Sequence, residues 1–203
     1  NTIIPYLDEL NCLDKLIATS ELSFVYSSSV KEKLNRTKCI DLGSLDHLNI
    51  EYILQLKPDV VFLSCTYSND VAQKLKSMGI EVACLDEFLE SNPLAVSHWI
   101  EYIGLYTNNL PIAQQRFIDI QHKYEEAKEL IKNNGLKNLP FIAGEDIQGV
   151  WFAPAQKSYV SQLLIDAGGQ YVLASLNPKK ETSHQLSWES IIESNQQKPY
   201  WRL

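Results

Sequence analysis

The side chains with the clearest capacity for chemistry are four histidines, His47, His98, His122 and His184, four cysteines, and an adjacent acid pair, Glu145–Asp146. Ser, His and Asp together could form a nucleophilic relay, but the strained G-x-S-x-G turn that exposes such a serine is missing. Neither G-x-G-x-x-G nor a P-loop glycine pattern is present to cradle phosphates. His98 and His122 lie in helical stretches, and neither has a partner at metal-ligand spacing. Cys12, Cys39, Cys65 and Cys84 show no C-x-x-C pattern. Cys39 in "TKCIDLG" and Cys84 in "EVACLD" sit in strand-like apolar contexts, so the cysteines read as small buried hydrophobes rather than disulfides. Glu145–Asp146 could share acid–base work, but two neighbours in a loop do not define that geometry. No catalytic residue and no metal site is assigned.

One further carboxylate stands out by position. Glu51, in "NIEYILQLKPDVVFLSCT", falls in the first turn of a short helix built on Tyr52, Ile53, Leu54 and Leu56. There a negative charge meets the helix dipole favourably, by a few tenths of a kcal/mol. Pro58 disfavours the helical region for Lys57 and ends the helix. "DVVFLS" then reads as a short strand buried on both faces. Loops after the carboxyl ends of such strands line clefts, here "CTYSND".

The elements that must position these groups follow an alternation of helix and strand. Helices are expected near Thr2–Leu10 and Val30–Asn35 and in "NDVAQKLKSMG", with strands near Lys15–Thr19 and in "IEVACLD". Such alternation means α/β architecture with parallel-type sheets. "PLAVSHWIEYIGLYT", Pro93 to Thr107, is a further helix with proline at a tolerated first-turn position. From Leu110 to Asn134, Leu110, Ala113, Phe117, Ile120, Tyr124, Ala127 and Ile131 recur at steps of three and four, one stripe along a single helix. About 24 residues at 1.5 Å each span roughly 36 Å, enough to serve two lobes as a spine. After "NNGLKNLP", "PFIAG" reads as strand, "EDIQGVWFAPAQ" as loop and "SYVSQLLIDAGG" as helix. "QYVLAS" is strand, "NPKKETSHQ" polar loop, and "LSWESIIES" a helix with Ser187 as N-cap.

The 203 residues are 45% apolar and 21% charged, an ordinary globular composition, with a formal net charge of −7. No run of Lys or Arg offers nucleic acid or an anionic membrane a surface. No segment reaches the roughly 18 apolar residues of a membrane span. The opening "NTIIPYLDEL" starts inside a helical pattern and "KPYWRL" reads as the start of a strand, so both ends read as truncations. The organisation expected is an N-terminal α/β lobe over 1–90, a helical linker with the spine over 91–135, and an incomplete C-terminal α/β lobe over 136–203.

Two α/β lobes on one long helix, with "DLG" at Asp41–Gly43, "NIEYILQLKPDVV", "GVWFAPAQKSYVSQLLIDAGGQYV" and "LSWESII", resemble the helical-spine (class III) substrate-binding proteins of ABC importers. These are the receptors for iron–siderophore complexes, haem and vitamin B12. "SNPLAVSHWIEYIGLY" is similar to a subgroup common in Bacteroidetes. The resemblance implies a chelatase-like fold and a periplasmic or otherwise extracytoplasmic, lipid-anchored monomer. It would hand a small-molecule metal chelate to a permease dimer, without a cofactor and without catalysis.

It also implies roles. One glutamate per lobe docks on arginine pockets of the permease, and Glu51 in "NIE" and Glu189 in "SWE" match those positions; bidentate Arg–carboxylate contacts suit oriented docking. The ligand lies in a cleft between lobes. In the first lobe the candidates are Asn1, Thr2, Tyr26, Ser27, Thr66, Tyr67 and Ser68. The second offers Glu145, Asp146, Trp151, Phe152, Ser158 and Tyr159. Aromatic rings suit a corrin, a porphyrin or a catechol, and a tyrosinate could ligate haem iron. Arg36, Arg116 and Arg202 all lie away from these loops, which disfavours highly anionic siderophores and leaves a neutral siderophore, haem or a corrinoid. A ligand sensor that keeps this fold is the alternative.

Overall fold

A computed structural model describes residues 2–44, 48–135, 139–175 and 183–195. The cleft candidate Asn1, His47, Arg202, most of the "NPKKETSHQ" loop and the closing "KPYWRL" lie outside these residues. The chain divides into two compact units, residues 1–86 with 100–116 and residues 87–99 with 117–203. The segment read as a helical linker is thereby shared out, its helices contributing to both units.

In the first unit, α1 (Ile3–Glu9) buries Ile3, Ile4 and Leu7 and is followed by a single 3-10 turn, Leu13–Lys15. Strand β1 (Ala18–Thr19) leads through another 3-10 turn to α2 (Ser28–Arg36), which Ser27 caps by accepting the Val30 amide. Strand β2 (Ile40–Asp41) pairs with β1 in parallel. Helix α3 (Ile50–Leu56) begins where the Asn49 side chain accepts the Tyr52 amide at 3.0 Å. It stops at Lys57, which takes the left-handed conformation, φ 48° and ψ 56°; the following proline disfavours the right-handed region there.

Strand β3 (Val61–Leu63) pairs in parallel with β4 (Val82–Cys84) across α4 (Asn69–Ser77), with Val61 opposite Val82 and Leu63 opposite Cys84. The strand is half-buried along its length rather than enclosed on both faces. Ile53, Ala72, Leu75 and Val82 form the core beneath it, each large aliphatic side chain stabilising the unit by about 1.5–3 kcal/mol.

The expectation that the cysteines are separate apolar residues is corrected here. Cys65 and Cys84 form a disulfide with Cα atoms 5.2 Å apart, while Cys12 and Cys39 are free. The register explains the pairing. Cys84 ends β4 opposite Leu63, so Cys65, just past the end of β3, sits beside it.

Helix α5 (Pro93–Thr107) follows the expected bounds, and α6 (Leu110–Asn133) runs 24 residues. The two helices meet at Gly104, where a Cβ would stand 2.7 Å from the Ala113 Cβ. Only that close approach buries the stripe fully: Ala113 is inaccessible, Phe117, Ile120, Tyr124 and Ile131 are half-buried, and Ala127 is exposed.

The second unit pairs β5 (Leu139–Phe141) in parallel with a later strand and then departs from expectation. The segment read as a loop, "EDIQGVWFAPAQ", is a β-hairpin of β6 (Glu145–Ile147) and β7 (Val150–Pro154), antiparallel, with Ile147 opposite Val150. Its two-residue turn places Gln148 at φ 55° and Gly149 at φ 84°, the pattern of a type I′ turn. Asp146 Oδ1 accepts the Gly149 amide at 3.0 Å. Gln-Gly lacks the asparagine or aspartate that usually announces this turn, which is why the hairpin was not legible.

Helix α7 (Tyr159–Asp166) precedes β8 (Gly169–Tyr171), the partner of β5. The strand expected over "QYVLAS" ends after Tyr171 in a 3-10 turn, Val172–Ser175. Strand β9 (Ser183–Leu186), where the sequence predicts polar loop to Gln185 and helix from Leu186, joins the other edge of β7, and α8 (Trp188–Asn195) follows directly. Trp151, Ala153, Tyr171, Leu173 and Ile191 form this unit's core. Asp166 ties α7 to α6, accepting Tyr124 Oη and Gln162 Nε2, each at 2.7 Å, with Lys128 Nζ at 3.5 Å.

Candidate functional site

Glu51 and Glu189, the glutamates expected to dock, stand in matching local frames. Asn49 and Ser187 each cap a short helix; Asn49 accepts the Tyr52 amide and Ser187 Oγ accepts the Ser190 amide at 3.2 Å. Glu51 and Glu189 each follow two residues after the cap and are exposed. Ile53 and Ile191, four residues after the cap, are buried at 3% and 1% and anchor the helix start. Both donate their amide to the cap carbonyl at 3.2 Å. The Glu189 backbone amide and the Ser187 hydroxyl lower the pKa of the Glu189 carboxyl from its ordinary value.

In the first unit Thr66, Tyr67 and Ser68 form one loop at the carboxyl end of β3. Asp86 Oδ1 accepts Ser64 Oγ at 2.6 Å and the Thr66 amide at 3.5 Å, and Ser64 Oγ accepts the Tyr67 amide at 3.2 Å. With the Cys65–Cys84 bridge, these contacts clamp the loop while the Tyr67 side chain stays 73% exposed. Sequence reading missed both Asp86 and the bridge; the signal lay in Cys65 just past the end of β3 and Cys84 at the end of its neighbour β4. Tyr26 is 83% exposed, beside Ser27, whose hydroxyl serves the α2 cap. Thr2 is exposed at the start of α1.

In the second unit the candidates separate. Glu145 lies opposite Phe152 and Asp146 opposite Trp151, and directly opposed residues of an antiparallel pair share a face. Glu145 is exposed and Phe152 half-buried. Trp151, expected in a cleft loop, is a core residue at 7% exposure, its Nε1 donating to the Ala143 carbonyl at 3.3 Å. The reason is strand alternation: Trp151 and Ala153 fall on the inward face of β7. Ser158, also expected in the cleft, is buried and caps α7 by accepting the Ser161 amide. Tyr159 is half-buried at the helix start. Among the described residues, no three His, Cys, Asp or Glu side chains gather where they could hold a metal ion. No helix among them is long and apolar enough to cross a membrane.

The described residues thus present exposed aromatic and hydroxyl groups on a clamped loop and an exposed carboxylate at a helix start in each unit. The sequence model of the periplasmic binding protein family matches residues 6–201, and the chain belongs to that family. An uncharacterized lipoprotein of Methanocaldococcus jannaschii, MJ0878, is 26% identical over 181 residues, covering 87% of this chain and 42% of its own length. The chain thus spans less than half the length of that curated relative. The triscatecholate siderophore binding protein FeuA of Bacillus subtilis shares the fold at TM-score 0.72 and 18% identity, over 95% of this chain and 64% of its own. The periplasmic heme binding protein HutB of Vibrio cholerae does so at TM-score 0.70 and 20% identity, over 95% and 70%. The long α6 is the helical spine of this fold.

Proposed function

We propose that the protein is the extracytoplasmic receptor of an ABC importer, capturing an iron complex, a siderophore or haem, and delivering it to the permease. The observation that carries this reading is the repeated helix start. Each unit presents cap, one residue, glutamate, one residue, buried isoleucine, so two carboxylates are held alike for two permease subunits. Family membership supports the same role, and the lipoprotein name of the relative supports a lipid anchor. The Cys65–Cys84 bridge suits an oxidising compartment.

The candidate ligand contacts, taken unit by unit, are Tyr26 and Tyr67 in the first unit and Glu145 and Phe152 in the second. These supply rings, hydroxyls and one carboxylate without arginine, a set matched to a neutral siderophore or to haem rather than to a highly anionic chelate. The assigned role contains no catalytic step.

Titration with haemin, cyanocobalamin and ferric siderophores of graded charge, followed by absorbance and tryptophan quenching, tests the ligand class. Saturable binding of haemin or a neutral ferric siderophore, weakened tenfold or more by Tyr67→Ala, is the expected result. Tight binding of cyanocobalamin alone would make the cargo a corrinoid. Glu51→Ala and Glu189→Ala should leave binding unchanged and lower import into proteoliposomes; unchanged import would point to a sensor instead.

A further inference from the structure

Of the three ladder pairs of hairpin β6–β7, Glu145–Phe152 and Ile147–Val150 share one face and Asp146–Trp151 takes the other, toward α8. Asp146 and Trp151 share the second face, and both engage Trp188, the first residue of α8. The Trp188 Nε1–H donates to Asp146 Oδ2 at 2.7 Å. Its ring meets Trp151 edge to face, with centroids 5.2 Å apart. The backbone adds a third tether, since Trp151 also lies opposite Leu186 in the β7–β9 ladder, two residues before Trp188. Glu189 is the next residue along. The hairpin and the start of α8 are therefore one mechanical piece, joined by a ladder, a ring contact and a charge-assisted hydrogen bond.

Asp146 is doubly committed within this piece. One carboxylate oxygen receives the Gly149 amide and sets the hairpin turn, while the other receives the Trp188 indole. Both oxygens are thus engaged before any ligand arrives. Glu145, on the opposite face, has no such assignment among the described contacts, and its partner across the ladder is Phe152.

We propose that Asp146 is a positioning residue for the docking glutamate Glu189, acting through Trp188, and not a ligand contact. This inference rests on the docking role proposed above for Glu189.

The test uses ligand-free protein titrated onto the importer in lipid nanodiscs. Asp146→Ala and Trp188→Phe, which keeps the ring and removes the donor, should each weaken docking about fivefold or more. The double variant should be no weaker than either single one. Asp146→Asn, which has one amide oxygen for the two N–H donors of Gly149 and Trp188, should recover the affinity only in part. The indole proton resonance of Trp188 should move upfield in Asp146→Ala, and thermal melts identify any variant that has lost its fold. Native-like docking by a folded Trp188→Phe overturns the proposal, as does additivity in the double variant. Glu189→Ala separates the two levels. If it weakens docking while Trp188→Phe does not, only the positioning role fails; if Glu189→Ala docks as the native chain does, the docking reading fails and takes this inference with it.

Discussion

Replacing Cys65 and Cys84 together by alanine should lower the stability of the first unit by about 3 kcal/mol. The bridge joins residues separated by 19 positions. Closing a loop of that length in the unfolded chain costs roughly 11 cal/mol/K, about 3 kcal/mol at 25 °C. The folded side adds little strain, because the β3–β4 register already brings the two residues together with Cα atoms 5.2 Å apart, inside the usual range. The closed loop holds α4 and β4, whose Ala72, Leu75 and Val82 make up most of that core, so its entropy bears on the unit as a whole. For a unit of roughly 100 residues, each kcal/mol moves the midpoint by about 4–8 °C, and the expected drop is on the order of 12 °C or more. Urea and thermal unfolding of the native chain, with and without reductant, and of the double variant would measure it. Thiol titration in denaturant should find only Cys12 and Cys39 before reduction. Coincident unfolding curves with and without reductant, or Cys65 and Cys84 titrating in the unreduced protein, would refute the reasoning.

Four further outcomes are expected. Asn49→Ala and Ser187→Ala each remove a helix cap and should cost about 1 kcal/mol, read as shifted urea midpoints; Asn49→Gly should cost less. Gly144→Ala should destabilise the second unit by about 2 kcal/mol or more, because Gly144 sits at φ 138° and an added Cβ would stand only 2.4 Å from the Phe152 carbonyl oxygen and the Trp151 indole nitrogen; a neutral result in a chemical melt would contradict the hairpin's path. Tyr124→Phe should loosen α7 from α6 by about 1 kcal/mol, seen as faster amide exchange in α7, since the Tyr124 hydroxyl donates to Asp166 at 2.7 Å. Alkaline pH should destabilise the first unit. Burial, then the Tyr106 hydroxyl and the charges of Tyr106 and Glu81, push Tyr102 from 10.0 to about 12. A raised folded value means its contribution is complete below pH 10.0 and lost as pH rises through about 12. Tyrosinate absorbance and unfolding followed together should show that loss, and Tyr102→Phe should flatten it.

The two helix starts that carry Glu51 and Glu189 are legible in the sequence because their determinants are local. A capping side chain, a first-turn glutamate and an apolar residue one turn on are chain neighbours, so "NIEYI" and "SWESI" announce the same helix start without any knowledge of the rest. The bounds of α5 and the stop before Pro58 follow equally from near neighbours, through proline's fixed φ and the sterics it imposes on the residue before it. What eluded the linear reading depends on residues far apart in sequence. Cys65 and Cys84 look like two unrelated apolar positions until the β3–β4 register aligns the strand ends. Trp151 reads as a loop aromatic until the Gln148–Gly149 turn folds "EDI" back on "VWF", after which alternation sends it inward and leaves Phe152 on the other face. Asp146 reads as half of an acid pair, yet its neighbour in space is an indole 42 positions away. Periodicity and capping act over a few residues and are written into the chain. Register and face are settled only when strands pair, because a shift of one residue in the pairing reverses every side chain along the strand.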